Sequence, residues 1–96
     1  MRKITIESAT AFENNENFKK SNMEVITDNH TTMLKLYGHA IAIKNIDTNA
    51  VSLSACGFKT NTTKERLNGL NGVYVMQKKG IWYLNGNEWD GKTKTI

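Results

Sequence analysis

Few side chains in this 96-residue chain could do covalent chemistry: two histidines and a single cysteine. His39 and Cys56 would form a nucleophile pair if the fold brought them together, because an imidazole base beside a thiol activates it. Cys56 lies between Ala55 and Gly57 at the end of an apolar run, which favours a small buried residue. His30 and His39 both fall in predicted turns. The pattern therefore favours structural roles for all three side chains.

Metal and acid–base sites are not predicted either. Zinc needs three or four ligands at recognisable spacing, and the histidines and the cysteine do not supply them. Among the carboxylates, Glu65 is assigned to a helix cap, Asp47 lies in a turn, and Glu88 and Asp90 flank Trp89. No glycine-rich phosphate loop opens a helix after a strand. We therefore expect no enzymatic activity, no metal and no cofactor.

A mixture of basic and aromatic side chains in the last third of the chain could bind a partner. Aromatic rings that stack on bases and lysines that follow phosphates are the groups that bind single-stranded nucleic acid. The predicted binding set is Lys64, Arg66, Lys78, Lys79, Trp82 and Tyr83, with the first two projecting from a short helix. The competing interpretation places the tryptophan in the core and assigns the lysines to solubility, because the net charge is only +4.

Alternating apolar and polar residues predict antiparallel strands in the first part of the chain. Strand-like runs occupy 23–27, 32–37, 40–44 and 51–55. Short polar turns separate the runs, which is typical of a meander. In the third run, Ile41 and Ile43 are predicted on the apolar face and Lys44 on the opposite face.

The C-terminal part predicts further hairpins. Alternation resumes at Val73, and Lys79-Gly80 turns the chain into an aromatic strand. Asn85-Gly86 is the strongest two-residue turn signal, because a type I′ turn needs positive φ at both positions. Trp89 is then expected to pack back on the core.

Two short helices complete the prediction. Lys3–Ile6 alternates like a strand or an extended lead-in, and Ser8 then caps a helix that ends near Asn14. Thr62–Glu65 has the pattern of a capping box, in which the threonine and glutamate side chains each bond the other's backbone amide. Gly69 is expected to end this second helix in the left-handed conformation.

Length and composition predict one soluble domain. The length is sufficient for a core without disulfides, and a single cysteine favours a reducing compartment. The first ten residues lack the apolar segment of a signal peptide, and no apolar run approaches the roughly 18 residues of a membrane span. We expect a single α+β domain over residues 1–96. It contains an antiparallel sheet of about five or six strands (the meander and C-terminal hairpins), two short helices and a frayed tail at 92–96.

Several segments resemble a family of small proteins from tailed bacteriophages. The most specific are TTKERLNGL at 62–70 and the pattern QKKGIWYLNGNEWDG at 77–91, with further similarity at 36–42 and 54–57. The resemblance covers nearly the whole chain. It implies a phage origin and a location in the cytoplasm of an infected bacterium. It implies no catalytic residues.

Small accessory phage proteins commonly bind and block a host macromolecule, so the resemblance favours a non-enzymatic binding module that interferes with a host protein or defence system. The alternative is a protein that binds single-stranded or non-specific nucleic acid through the predicted binding set. A third possibility is self-association through an exposed edge strand. We expect no membrane partner.

Overall fold

The computed structural model describes all 96 residues and contains two helices and nine strands. In chain order the elements are α1 (Lys3–Glu13), β1 (Phe18–Lys20), β2 (Met23–Thr27), β3 (Thr31–Leu36), β4 (His39–Asn45), β5 (Val51–Leu53), α2 (Asn61–Leu67), β6 (Val75–Lys78), β7 (Ile81–Leu84), β8 (Asn87–Glu88) and β9 (Lys94–Thr95). Every strand pair is antiparallel, so the α+β class is confirmed. Neither helix has the length and apolar character needed to cross a bilayer.

The strands form two sheets. The large sheet has the order β1-β2-β3-β4-β5-β9, and its first five strands follow the chain as the predicted meander. The C-terminal hairpins form a separate small sheet, β6-β7-β8. Residues 92–96, expected to fray, contain β9, which pairs with β5 and thereby returns the chain to the edge of the large sheet.

α1 begins earlier than the sequence predicts. Lys3–Ile6 alternates like a strand, yet it forms the first turn of the helix. The buried helix face contains Thr5, Ser8 and Phe12, whereas Ile6 is exposed. These positions follow the three- and four-residue spacing of one helix face. Two of them are small polar residues, so a search for regularly spaced apolar residues does not detect the face. This face packs on β2 and β3.

α2 also begins and ends differently from the prediction. Its N-cap is Thr60, whose hydroxyl oxygen accepts from the amide of Thr63 at 3.2 Å, so Thr62 lies inside the helix. Gly69 is not left-handed. A Cβ at Gly69 would lie 2.6 Å from Cγ2 of Thr5. Glycine is therefore required here because the two helices approach closely, and not because of a turn.

A polar contact joins α1 to α2. Glu65 accepts hydrogen bonds from the Arg2 amide and the Thr5 hydroxyl, so the predicted capping box does not form. Arg66, expected to point outward, is 3% exposed and donates through Nη1 to Oγ1 of Thr5 at 3.0 Å. Burial raises the pKa of Glu65, but the bonds from Thr5 and Arg2 and the charge of Arg66 outweigh it. The pKa of Glu65 therefore lies below its ordinary value.

An irregularity in β4 determines which residues face the core. The β3–β4 register shifts between Leu34 and Lys35, so β4 contains one extra residue, Ile41. An extra residue reverses the side-chain alternation beyond it. Ile41 is buried, Ile43 is 40% exposed and Lys44 is buried. The prediction that Ile43 faces the core and Lys44 faces outward was wrong for this reason.

The buried Lys44 ammonium group is bonded to the end of α1. Its Nζ donates to the carbonyl oxygens of Phe12 at 2.8 Å and Glu13 at 3.2 Å, and it lies 4.9 Å from the centre of the Phe12 ring. Helix C-terminal carbonyls carry partial negative charge, so they stabilise a cation at this position. Lys44 thereby links α1 to the middle of the large sheet.

One face of the small sheet packs on the core. Val75, Trp82 and Leu84 are buried, and the ring centre of Trp89 lies 6.1 Å from that of Trp82, as expected for a tryptophan that packs back. Asn85-Gly86 has φ angles of 50° and 88°, which confirms the predicted left-handed turn.

Candidate functional site

The six residues of the predicted binding set do not lie on one surface. Arg66 and Trp82 are buried, at 3% and 2% exposure. Lys64 is half-buried, and its Nζ donates to Oε1 of Gln77 at 2.7 Å. The Nζ atoms of Lys64 and Lys59 lie 5.6 and 5.4 Å from the centre of the Trp82 ring. The Trp82 ring is therefore not available for stacking on a base.

The other three members of the set lie on or beside the outward face of the small sheet. Strand alternation places Tyr83 on the face opposite Trp82, and Met76 is its partner across the strands. Tyr74 is 60% exposed just before β6. We call this surface the hairpin face; it consists of Tyr74, Met76, Lys78, Ile81 and Tyr83, with Lys79 at the hairpin tip.

The net positive charge of the protein lies in the part of the chain that contains the hairpin face. Residues 1–58 contain six basic and six acidic side chains, whereas residues 59–96 contain seven basic and three acidic ones. The buried Arg66 forms an ion pair with the partly exposed Glu65 at the helix contact. The excess positive charge of +4 is therefore contributed by residues 59–96.

A second surface, absent from the predicted set, is a pocket of about 230 Å³ between the β3–β4 turn and the segment that leads into α2. Its floor is formed by buried side chains and its rim by exposed rings. We call it the aromatic groove; it consists of Leu36, Ile41 and Ala55 on the floor, Thr60, Thr62 and Thr63 on one wall, and Tyr37, His39 and Phe58 on the rim.

The position of Tyr37 depends on an unfavourable backbone conformation. Tyr37 and Gly38 have φ angles of 50° and 81°, and the Tyr37 amide donates to the carbonyl oxygen of Asn22 at 2.8 Å. Two-residue turns with positive φ at both central positions favour Asn, Asp or Gly at the first central position. A bulky residue there is uncommon and costs stability. The ring of Tyr37 is nevertheless 71% exposed, so burial of the side chain does not offset this cost.

Phe58 is positioned by a second left-handed pair, Cys56-Gly57, with φ angles of 53° and 81°. The Cys56 thiol donates to the carbonyl oxygen of Ala40 at 3.0 Å. The His39 ring packs against Phe58 with 4.9 Å between ring centres and 42° between planes. Cys56 is thus hydrogen-bonded to the backbone of β4, and His39 is part of an aromatic contact.

The chemistry of the groove is that of an apolar receptor. None of its lining residues is a carboxylate, lysine or arginine, and its polar side chains are the three wall threonines, Tyr37 and His39. No three His, Cys, Asp or Glu side chains converge anywhere in the chain. At about 230 Å³ the groove is smaller than the roughly 300–1,000 Å³ of small-molecule pockets. Its volume and lining suit one large apolar side chain.

Comparison with known families gives the origin of the chain. The sequence model of the family described as "Kyanoviridae Gp96 protein" matches residues 1–95. The chain belongs to this family. The resemblance to small phage proteins is thereby confirmed, and the matched residues include both the aromatic groove and the hairpin face. No curated protein and no solved structure matches the chain.

In this member of the Kyanoviridae Gp96 family, one signal in the sequence could have indicated the groove. Tyr37 precedes a glycine in a hairpin turn, at a position where Asn or Asp would be favoured. The contact between His39 and Phe58 had no comparable signal, because it joins residues from separate elements.

Proposed function

We propose that this phage protein is a non-enzymatic binding module that engages a host protein through the aromatic groove and interferes with that protein in the cytoplasm of the infected bacterium. The observation that carries the proposal is the 71% exposure of Tyr37 at a left-handed position beside an apolar pocket. Strained backbone positions cluster at active and binding sites. Tyrosine is one of the residue types enriched among the side chains that contribute most to affinity at protein interfaces.

The shape of the groove favours a macromolecular partner over a metabolite. A metabolite pocket usually combines an enclosed apolar volume with several convergent polar groups. Here the walls carry only three polar side chains, all threonines, and Thr60 and Thr63 are already hydrogen-bonded to each other at 3.0 Å. Tyr37 and Phe58 stand on the rim, where they would enclose an inserted side chain and exclude water from it. Aromatic rings that become desolvated in this way in a complex are typical members of the hot spot itself.

The test is retention of host proteins by tagged protein in extracts of the host bacterium. Tyr37→Ala and Phe58→Ala should each reduce retention of the specific partner by about tenfold or more, because hot-spot truncations cost roughly 2 kcal/mol or more. Tyr74→Ala is the matched control, since Tyr74 is an aromatic of similar exposure (60%) on the hairpin face.

Retention of the same protein at wild-type levels by both groove variants would contradict the proposal. Equal loss with Tyr74→Ala would also contradict it, because binding would then not depend on the groove. The purified partner, titrated by calorimetry, should give the same order of affinities.

A second candidate function is binding of single-stranded nucleic acid at the hairpin face. It is favoured by the +4 charge of residues 59–96. The exposed ring of Tyr74 and the half-buried ring of Tyr83 lie near Lys78 and Lys79. Fluorescence anisotropy with a labelled single-stranded oligonucleotide tests it. Tyr74→Ala and Lys78→Ala should weaken binding, and affinity should fall steeply with salt. Tyr37→Ala is the control, and absence of binding at low salt would exclude this function.

A further inference from the structure

An apolar row crosses the outer face of the large sheet. Ile26 pairs with Met33, and Met33 pairs with Ile43, so the three side chains lie side by side on neighbouring strands. The helices pack on the opposite face, against residues such as Val25 and Leu34. The three side chains of the row are therefore only partly covered, and Ile43 is 40% exposed.

A second row of alternating charge runs parallel to the apolar row. Lys19 pairs with Glu24, Glu24 with Lys35, and Lys35 with Ala40. Glu24 precedes Ile26 by two residues, and Lys35 follows Met33 by two. Both rows therefore lie on the same face of the sheet. No ion pair closer than 4.0 Å joins these lysines to Glu24, so the charged groups remain available.

These two rows are complementary to themselves. A two-fold axis along the strands, between β2 and β3, would place Glu24 of each copy against Lys35 of the other copy. The same axis would place Ile26 of each copy against Met33 of the other. An isologous interface forms every such contact twice. We propose that the outer face of the large sheet binds a second copy of this chain, face to face, in a symmetric dimer.

The edges of the large sheet do not favour the edge-strand association that the sequence leaves as a third possibility. The two edge strands are β1, with the sequence FKK, and β9, with the sequence KT. Short edges that carry lysines are the means by which natural sheets prevent edge-to-edge pairing. Association through the face leaves these edges free, and it does not involve the aromatic groove.

The dimer is expected to be weak, because the apolar row contains only three side chains and stable interfaces are larger. The apolar contact supplies the affinity, while the charged row determines the register of one copy on the other. Sedimentation equilibrium should give a mass near 10.8 kDa at low concentration that rises toward twice this value as concentration increases. Met33→Glu should remove the rise.

Charge reversal separates contacts between copies from contacts within one chain. Glu24→Lys alone and Lys35→Glu alone should each remain monomeric, because each places like charges opposite each other in the dimer. An equimolar mixture of the two variants should form the dimer, since the charges then complement each other between chains. The like-charged pair within each chain is unchanged by mixing, so it cannot explain this recovery.

The double variant Glu24→Lys/Lys35→Glu should also form the dimer, and circular dichroism should show the native fold for every variant used. The proposal is overturned if the wild-type protein remains monomeric at the highest attainable concentration. It is equally overturned if the mixture of single variants stays monomeric while the wild-type protein dimerises.

Discussion

Two hairpin turns have closely similar φ angles but differ in the contacts of their first side chain. Tyr37-Gly38 and Asn85-Gly86 both begin at φ 50° and continue with a glycine at positive φ. The Asn85 side chain is bonded within the fold: Oδ1 accepts from the Tyr74 amide at 2.8 Å, and Nδ2 donates to the carbonyl oxygen of Gly72 at 3.0 Å. The Tyr37 ring is 71% exposed beside the aromatic groove.

The comparison shows that stability explains the choice of residue at Asn85 but not at Tyr37. At Asn85, turn preference and side-chain bonding favour the same residue, so the fold alone accounts for it. At Tyr37 the turn prefers another residue, and the ring gains little burial. Positions at which local rules fail are expected to be functional or strained sites, so Tyr37 is where we expect a partner to bind.

The largest effect on stability is expected at the Asn85 turn. Asn85→Ala removes two hydrogen bonds and places alanine in the left-handed conformation, so it should lower the free energy of unfolding by about 2–3 kcal/mol. Urea unfolding followed by circular dichroism measures this. Asn85→Gly should recover part of the loss, because glycine adopts positive φ freely but cannot make the side-chain bonds. A loss of less than about 0.5 kcal/mol in Asn85→Ala would show that the side-chain bonds are unimportant.

Alanine substitutions of the two turn glycines, Gly38 and Gly86, test whether the two turns have equivalent backbones. A Cβ at Gly38 or Gly86 would have no heavy atom within 4 Å, so substitution meets no steric obstacle outside the turn. Gly38→Ala and Gly86→Ala should each cost about 1–2 kcal/mol from the left-handed conformation alone. The two unfolding free energies should agree closely. A negligible cost for Gly38→Ala alone would mean that the Tyr37 turn relaxes, and would contradict the equivalence of the two turn backbones.

Acid should have a smaller effect on the free energy of unfolding. This effect should arise at the contact between α1 and α2 and not at either turn. The pKa of Glu65 in the folded protein is lower than its ordinary value of 4.5. Its contribution to stability is therefore complete above pH 4.5 and is lost as the pH falls through the lower folded value. Glu65→Gln should be less stable than wild type near pH 7 and should lose less stability below pH 4.5. Unfolding curves between pH 7 and pH 3 check this, and parallel curves for the two proteins would contradict it.

The parts of the fold that follow from local rules could be predicted from the sequence. The meander between Met23 and Leu53 and the turn at Asn85-Gly86 depend on alternation and turn preference, which are local. The extra residue Ile41 could not be predicted, because it preserves the alternating pattern while reversing which side chains face the core. The bonding of Glu65 could not be predicted because its donors, Arg2 and Thr5, lie at the start of the chain, about 60 residues away.

The candidate site was harder to predict than the fold. Lysines and aromatic residues close together in sequence indicated the C-terminal hairpin, yet Trp82 and Arg66 proved to be buried. The aromatic groove joins Tyr37 to Phe58 across two turns, and no local pattern brings those positions together. The family match covers the groove but assigns no role to its residues.

The most direct test of the account is to measure stability and partner binding on one variant, Tyr37→Asn. Asparagine is favoured at this turn position, so the variant should be more stable than wild type by about 0.5–1 kcal/mol in urea unfolding. The same variant should lose about tenfold or more in retention of the host partner, because the exposed ring is removed. A variant that is less stable than wild type, or one that retains the partner as well as wild type does, would contradict the claim that Tyr37 is kept for binding at the expense of stability.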